Sequence, residues 1–258
     1  MIDIFSKLEE LKKLNKSFTL CIITETKGST PRKAGSRMIV TSTRELYGTI
    51  GGGSIEKQVI DEAFELLSQD KPVVKHYQLE EDLGMQCGGE MTVYMEPFHQ
   101  SPKLYIFGAG HVGRAVAKLA TEFGFRITIF DQRKEIFDSI NLPGATFISK
   151  DYFEAILEMD FDRNTYIVVT TPQHTYDEQI TGIVAAKPHA YVGMIGSKKK
   201  VAYLKTRFLE NHVLTQEQIE DIDMPIGIPF AVEIPEEIAV SIIAKLIDVK
   251  NTIKNEPC

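Results

Sequence analysis

Residues 84–90 read GMQCGGE, with a cysteine, Cys87, set among glycines ahead of the strand-like run EMTVYMEPF. A free thiol has a pKa of about 8.5, so little of it is thiolate at neutral pH; peptide N–H dipoles or a nearby Arg or Lys raise that fraction. Successive N–H groups in such a loop also form a concavity that holds an anion. Cys87, with Gly88 and Gly89, is therefore a candidate metal-facing thiolate, suited to a soft metal or a sulfur species. The alternative is a small residue in a tight turn, and the loop alone leaves both readings open. Cys21, inside the apolar run FTLCIIT, reads as core, and Cys258 is the last residue.

Two further glycine clusters carry anion chemistry. In GTIGGGS, residues 48–54, Gly51, Gly52 and Gly53 stand between a strand and a helix, with Ser54 the expected N-cap. Three successive glycines give up backbone entropy, about 0.5–1 kcal/mol each against alanine in regular structure. A simple turn needs fewer, so they point to a group approaching the backbone closely, and a phosphate suits a helix start. Arg32, Lys33 and Arg37 in the loop KGSTPRKAGSR can meet that charge, or form a solvated surface. The second cluster, GAGHVG at 108–113, follows the apolar run KLYIF and opens a helix, and Asp131 ends the next strand. This is the dinucleotide fingerprint in its required setting: Gly108 for the turn, Gly110 for approach of a diphosphate, Gly113 for close packing. Asp131 can accept from ribose hydroxyls and would repel a 2′-phosphate, which favours NAD over NADP. The same glycines also serve as a packing device with no nucleotide bound.

Further on, PQHTYDEQI places Gln173, His174 and Asp177 at the carboxyl edge of a sheet, where ligands bind in this architecture. His174 either orients a ligand there or caps the next helix. GMIGSKKK brings Lys198, Lys199 and Lys200 to another helix start, against the helix dipole. That is a solvated basic patch or the rim of an anion site.

The elements that position these residues fall into two rhythms. Up to HQSPK at 99–103, strands, loops and two amphipathic helices alternate irregularly; beyond it, apolar strands and helices take turns through KLYIFGAG, FRITIFD, GATFIS, TYIVVTT and AYVGMIGS. The second pattern means a parallel sheet covered on both faces. The expected fold is α/β: a small N-terminal α/β domain over residues 1–100, then a Rossmann-like doubly wound domain over 101–258. A closing helix begins at Pro235, where a missing N–H does no harm. At 258 residues, 43% hydrophobic and 25% charged, the composition is that of an ordinary globular protein. No apolar run approaches the ~20 residues of a membrane span, and a net charge of −7 excludes the broad basic face of a nucleic-acid binder. Three cysteines without a CxxC pair favour a reducing, cytoplasmic setting. A homodimer is the base-rate expectation for oligomeric state.

The stretches KGSTPRKAGSRMIV, GTIGGGSIE, QCGGEMTVYMEP, FGAGHVG, HTYD, GMIGSKKK and PEEIAVSI resemble, in order and over nearly the whole chain, the XdhC/CoxI family. The resemblance implies an accessory protein of xanthine dehydrogenase or a related molybdenum hydroxylase, without catalytic residues of its own. Such a protein binds molybdenum cofactor as cargo, assists its sulfuration with a cysteine desulfurase and hands it to the hydroxylase. On this reading a Gly-rich helix start holds the cargo's phosphate and Cys87 faces the metal. The chain departs from the family before PEEIA, where IPFAVEI puts Ile234 at a position expected to hold a threonine cap. Read from residues alone, an NAD-dependent oxidoreductase using Asp131 for ribose and His174 as acid or base stays open, as does a protein-binding scaffold with an empty Rossmann cleft.

Overall fold

The structure, a computed structural model, describes residues 3–79 and 88–255. These form two compact units, the first ending at Gln100 and the second beginning at Ser101.

The first unit is built on an antiparallel sheet in the order β3-β2-β1-β5-β4, from β1 (Phe18–Gly28), β2 (Arg37–Thr41), β3 (Leu46–Gly48), β4 (Val73–Gln78) and β5 (Gly89–Phe98). Successive strand side chains point to opposite faces. Phe18 and Leu20 therefore pack with Leu11 of α1 (Ile4–Lys13), whereas Cys21 and Ile23 pack with Ile55, Val59 and Ala63 of α2 (Gly53–Glu65). Each helix covers one face. Burial pushes the Cys21 thiol up to about 12, which leaves it an inert part of the core.

The second unit holds a parallel sheet in the order β10-β9-β6-β7-β8, from β6 (Lys103–Phe107), β7 (Arg126–Asp131), β8 (Thr146–Ser149), β9 (Thr165–Val169) and β10 (Tyr191–Met194). One face packs on α3 (His111–Ala120) and α8 (Pro235–Asn255) through Val116, Ala117, Ile242 and Leu246. The other packs on α4 (Tyr152–Glu158), α5 (His174–Val184), α6 (Lys198–Glu210) and α7 (Gln216–Asp221) through Ile156, Ile180, Leu204 and Ile219. The strand order turns back between β6 and β9, so the loops after these two strands meet at the switch point of a doubly wound fold. The Rossmann-like expectation is met.

Three local details differ from the sequence reading. Gly52, not Ser54, is the N-cap of α2, and Ser54 is its second helical residue. Helix α7 was not anticipated; Thr215 and Gln218 close its start as a reciprocal capping box. At the start of α8, where a threonine cap was missing, the Glu237 carboxylate accepts from the N–H groups of Glu233 (2.6 Å) and Ile234 (3.2 Å). The cap is supplied from inside the helix. Among the described residues, no helix is long and apolar enough to cross a membrane.

Candidate functional site

In the first unit the Gly-rich start of β5 meets the end of β1 by backbone contact, and the loop that follows β1 meets the triple glycine through the Pro31 ring. Gly28 of β1 pairs with Gly89 of β5. A side chain on Gly89 would strike the carbonyl of Ser29, and one on Gly28 would meet that of Gly88 at 2.8 Å. The loop beyond, carrying Arg32, folds back so that Pro31 lies over Gly51, 2.7 Å from where a Cβ would stand. Arg32 is exposed, whereas Arg37 is half-buried with its guanidinium over the Phe5 ring at 4.9 Å. Beside the Gly28–Gly89 pair, a cleft of about 350 Å³ is lined by Glu25, Thr26, Lys27, Glu90 and Thr92. Cys87 lies outside the described residues, and its assignment as a metal-facing thiol lies there with it.

The triple glycine has a different physical origin from the one expected. Gly51, Gly52 and Gly53 have φ of 154°, 92° and 69°, a succession that L side chains resist. The bend aims three peptide N–H groups at one point, and that point is filled from within. The Glu56 carboxylate accepts from the N–H groups of Ile50 (3.1 Å), Gly51 (3.2 Å) and Gly52 (3.1 Å), and from the Thr49 hydroxyl. A phosphate at these amides would have to displace a carboxylate that already holds four donors.

The fingerprint turn of the second unit follows the same logic. A Cβ on Gly108, at φ 105°, would clash with the Thr170 carbonyl, and one on Gly113 with the Gly108 carbonyl, so both glycines are demanded by packing. Gly110 is different: nothing stands within 4 Å of its Cβ position. Asp131 is 1% exposed, and both its oxygens are used. Oδ2 accepts from the Ala109 N–H (2.8 Å) and Arg133 Nη2 (2.8 Å), and Oδ1 from Arg133 N–H (3.0 Å) and Nε (2.9 Å). Four donors fill what a carboxylate can accept. Burial pulls this carboxyl up, but the Arg133 guanidinium and the Ala109 N–H outweigh it and hold it below the usual aspartate range. The side chain expected to take ribose hydroxyls instead ties the glycine turn to the end of β7.

At the switch point, two stretches read separately in the sequence converge. Asp177, in the first turn of α5, is fully buried. Its Oδ1 accepts from the Thr171 N–H (2.9 Å) and hydroxyl (2.7 Å), which fixes it to the loop after β9. Its Oδ2 accepts from Lys200 Nζ at 2.9 Å, from the start of α6. Lys200 Nζ also lies 2.8 Å from His174 Nδ1, and His174 Nδ1 is 3.5 Å from Asp177 Oδ2. The side chain of Lys200 is 14% exposed and that of His174 83%. Ser197 caps α6 by accepting from the Lys200 N–H. Because a Gly108 side chain would also reach Thr171, the fingerprint turn, Thr171, Asp177, Lys200 and His174 occupy one edge of the sheet.

Of the predicted residues, Gly51–Gly53, Gly88 and Gly89 thus share one region of the first unit, and Gly108, Gly113 and His174 share the switch point of the second. Sequence reasoning missed Lys200 and Asp177 as partners. The available signal was the run of lysines at a helix start: three cations against a dipole make sense once a buried acid holds one of them. Among the described residues, no group of three or more His, Cys, Asp or Glu side chains converges to hold a metal.

Comparison with known proteins agrees with this architecture. Residues 104–246 match the family model described as the XdhC Rossmann domain, and residues 11–78 that of the XdhC and CoxI family. An uncharacterised Escherichia coli K12 protein, YqeB, is 31% identical over 256 residues, which is 97% of this chain and 47% of that one. A Bacillus subtilis 168 protein, named as a probable xanthine dehydrogenase subunit, is 26% identical over 164 residues, 63% of this chain and 47% of that one. The chain thus spans about half the length of the curated relatives it matches. A crystal structure described as a xanthine dehydrogenase from Bacillus halodurans superposes with a TM-score of 0.54 at 19% identity, covering 98% of this chain and 97% of that one, and shares the fold. With a Rossmann model spanning more than half the chain and the other family model lying on the first unit, this protein belongs to the XdhC and CoxI family.

Proposed function

We propose that this protein is a cytoplasmic accessory chaperone that takes up molybdenum cofactor as cargo, assists its sulfuration with a cysteine desulfurase and passes it to xanthine dehydrogenase or a related molybdenum hydroxylase. The observation that carries the reading is the pair of family matches, one on each unit. The name of the Bacillus subtilis relative supports the choice of hydroxylase. In this role Cys87 supplies the thiol that faces the metal, and Arg32, exposed on the loop after β1, contributes charge. Self-association as a homodimer belongs to the same proposal.

The NAD-dependent oxidoreductase reading loses support from Asp131. Its four internal donors leave no acceptor for ribose, so NADH titrated to millimolar concentration is expected to leave nicotinamide fluorescence unchanged. The decisive experiment co-expresses a molybdenum hydroxylase with and without this protein and measures its metal content and sulfurated cofactor. Loading is expected to fall without the protein. Equal loading in both cultures would overturn the chaperone reading, and unchanged cofactor affinity in Cys87→Ala would remove Cys87 from the site alone.

A further inference from the structure

We propose that Lys200 and His174 anchor a phosphate monoester at the carboxyl edge of the parallel sheet, an anchor that rests on the chaperone reading only for the identity of the guest. The triple-glycine loop is one Gly-rich helix start at which the sequence lets a phosphate sit, but Glu56 already holds those amides. At the sheet edge the internal anion leaves donors unused. Lys200 Nζ carries three N–H groups; one meets Asp177 Oδ2 and a second meets His174 Nδ1, so a third remains. Since His174 Nδ1 accepts from a lysine, the imidazole proton sits on Nε2, and on so exposed a ring it donates outward. Asp177, buried and bound to Thr171, fixes Lys200 in place.

Two further facts favour phosphate over a smaller anion. Lys198 and Lys199 are exposed at the same helix start, which suits a group carrying close to two negative charges. The starts of α3 and α5, on the same edge, have no side-chain cap, and the space over Gly110 is open. Their N–H groups can meet the phosphate oxygens that the two side chains do not reach. A carboxylate, with two oxygens and one charge, uses fewer of these donors.

The test titrates the full chain with phenyl phosphate, inorganic phosphate and benzoate by calorimetry, and follows the histidine side chains by NMR. Saturable binding of phenyl phosphate is expected, with a shift of the His174 Nε2–H signal and benzoate weaker by about tenfold or more. Inorganic phosphate binding alongside phenyl phosphate confirms that the phosphoryl group is what is read. The double variant Lys200→Gln with Asp177→Asn removes both charges of the buried pair together, and its fold is checked by thermal unfolding. It should lose about tenfold or more in affinity, and the exposed-site variant His174→Gln should lose less. Wild-type affinity in both variants, no saturation with phenyl phosphate at millimolar concentration, or equal binding of benzoate would each overturn the proposal. If phosphate binding fails while a co-expressed hydroxylase is still loaded, the anchor is lost and the chaperone reading stands. Phosphate binding with no effect on loading has the opposite meaning.

Discussion

Helices α2 and α5 carry an acid at the same place, the fourth helical residue, and use it in opposite ways. Glu56 turns one oxygen back onto the three amides and the hydroxyl that precede α2, and the helix start is closed. Asp177 also turns one oxygen back, onto the Thr171 N–H and hydroxyl, but it leaves the other for Lys200 of a different helix. The difference follows from geometry. Three glycines at positive φ, the last of them opening α2, aim several N–H groups at one oxygen, whereas the loop before α5 offers a single N–H and a hydroxyl. An anion with oxygen to spare recruits a cation, and the cation's remaining N–H is what makes the second edge able to bind a ligand. The same device thus yields a closed turn in one unit and a receptive edge in the other.

The contrast is tested most directly at Asp177. Replacing it by Ala removes the partner of a largely buried lysine and two bonds of Thr171, and should destabilise the protein by about 3–5 kcal/mol in urea unfolding. A loss of under about 1 kcal/mol would mean that Lys200 reaches solvent without it, and the pair would then hold nothing in place. The next effect belongs to Asp131→Ala. Arg133 is 44% exposed and can find water, so the loss is smaller, about 2–3 kcal/mol, and comes mainly from the stranded Ala109 N–H and the freed glycine turn.

Glu56→Ala probes the contrast from the other side. Losing a half-buried carboxylate with four donors should cost about 1–2 kcal/mol, because water can reach part of the opened turn. The same change empties the amides of residues 50–52. If the two helix starts differ only in who supplies the anion, phenyl phosphate should bind the variant at one more site per chain than the wild type, read as calorimetric stoichiometry. Unchanged stoichiometry would show that the bend itself depends on Glu56.

Much of this was legible in the sequence, for identifiable reasons. The strand and helix alternation after residue 103, the fingerprint glycines and Pro235 are local signals with few alternative causes, and the parallel sheet followed from them. What the sequence hid was the destination of carboxylates. Glu56 meets amides four to six residues back, and Asp177 a threonine six residues back, only because the turns between them bend that way, while Asp131 meets the Ala109 N–H from a neighbouring strand. So the glycine clusters read as waiting for a foreign anion when two of them bind an internal one. The pairing of HTYD with GMIGSKKK was hidden likewise, since Lys200 and Asp177 meet through adjacent parallel strands β9 and β10 and not through sequence spacing.

The smallest expected effect is in acid, and it separates the fingerprint turn from simple packing. Burial works against the charged form of Asp131, but the bonds from Arg133 and Ala109 prevail and hold its folded pKa below the unfolded value of about 3.9. A depressed carboxyl contributes stability that is fully present above the unfolded pKa and is lost as pH falls through the folded one. Asp131→Asn keeps the size of the side chain and cannot titrate. Its deficit against the wild type should therefore be constant from neutral pH down to about 5 and shrink below about 4. A deficit that stays constant through that acid range would mean that the carboxylate's charge contributes nothing to tying the glycine turn to β7, and that Asp131 serves there by shape alone.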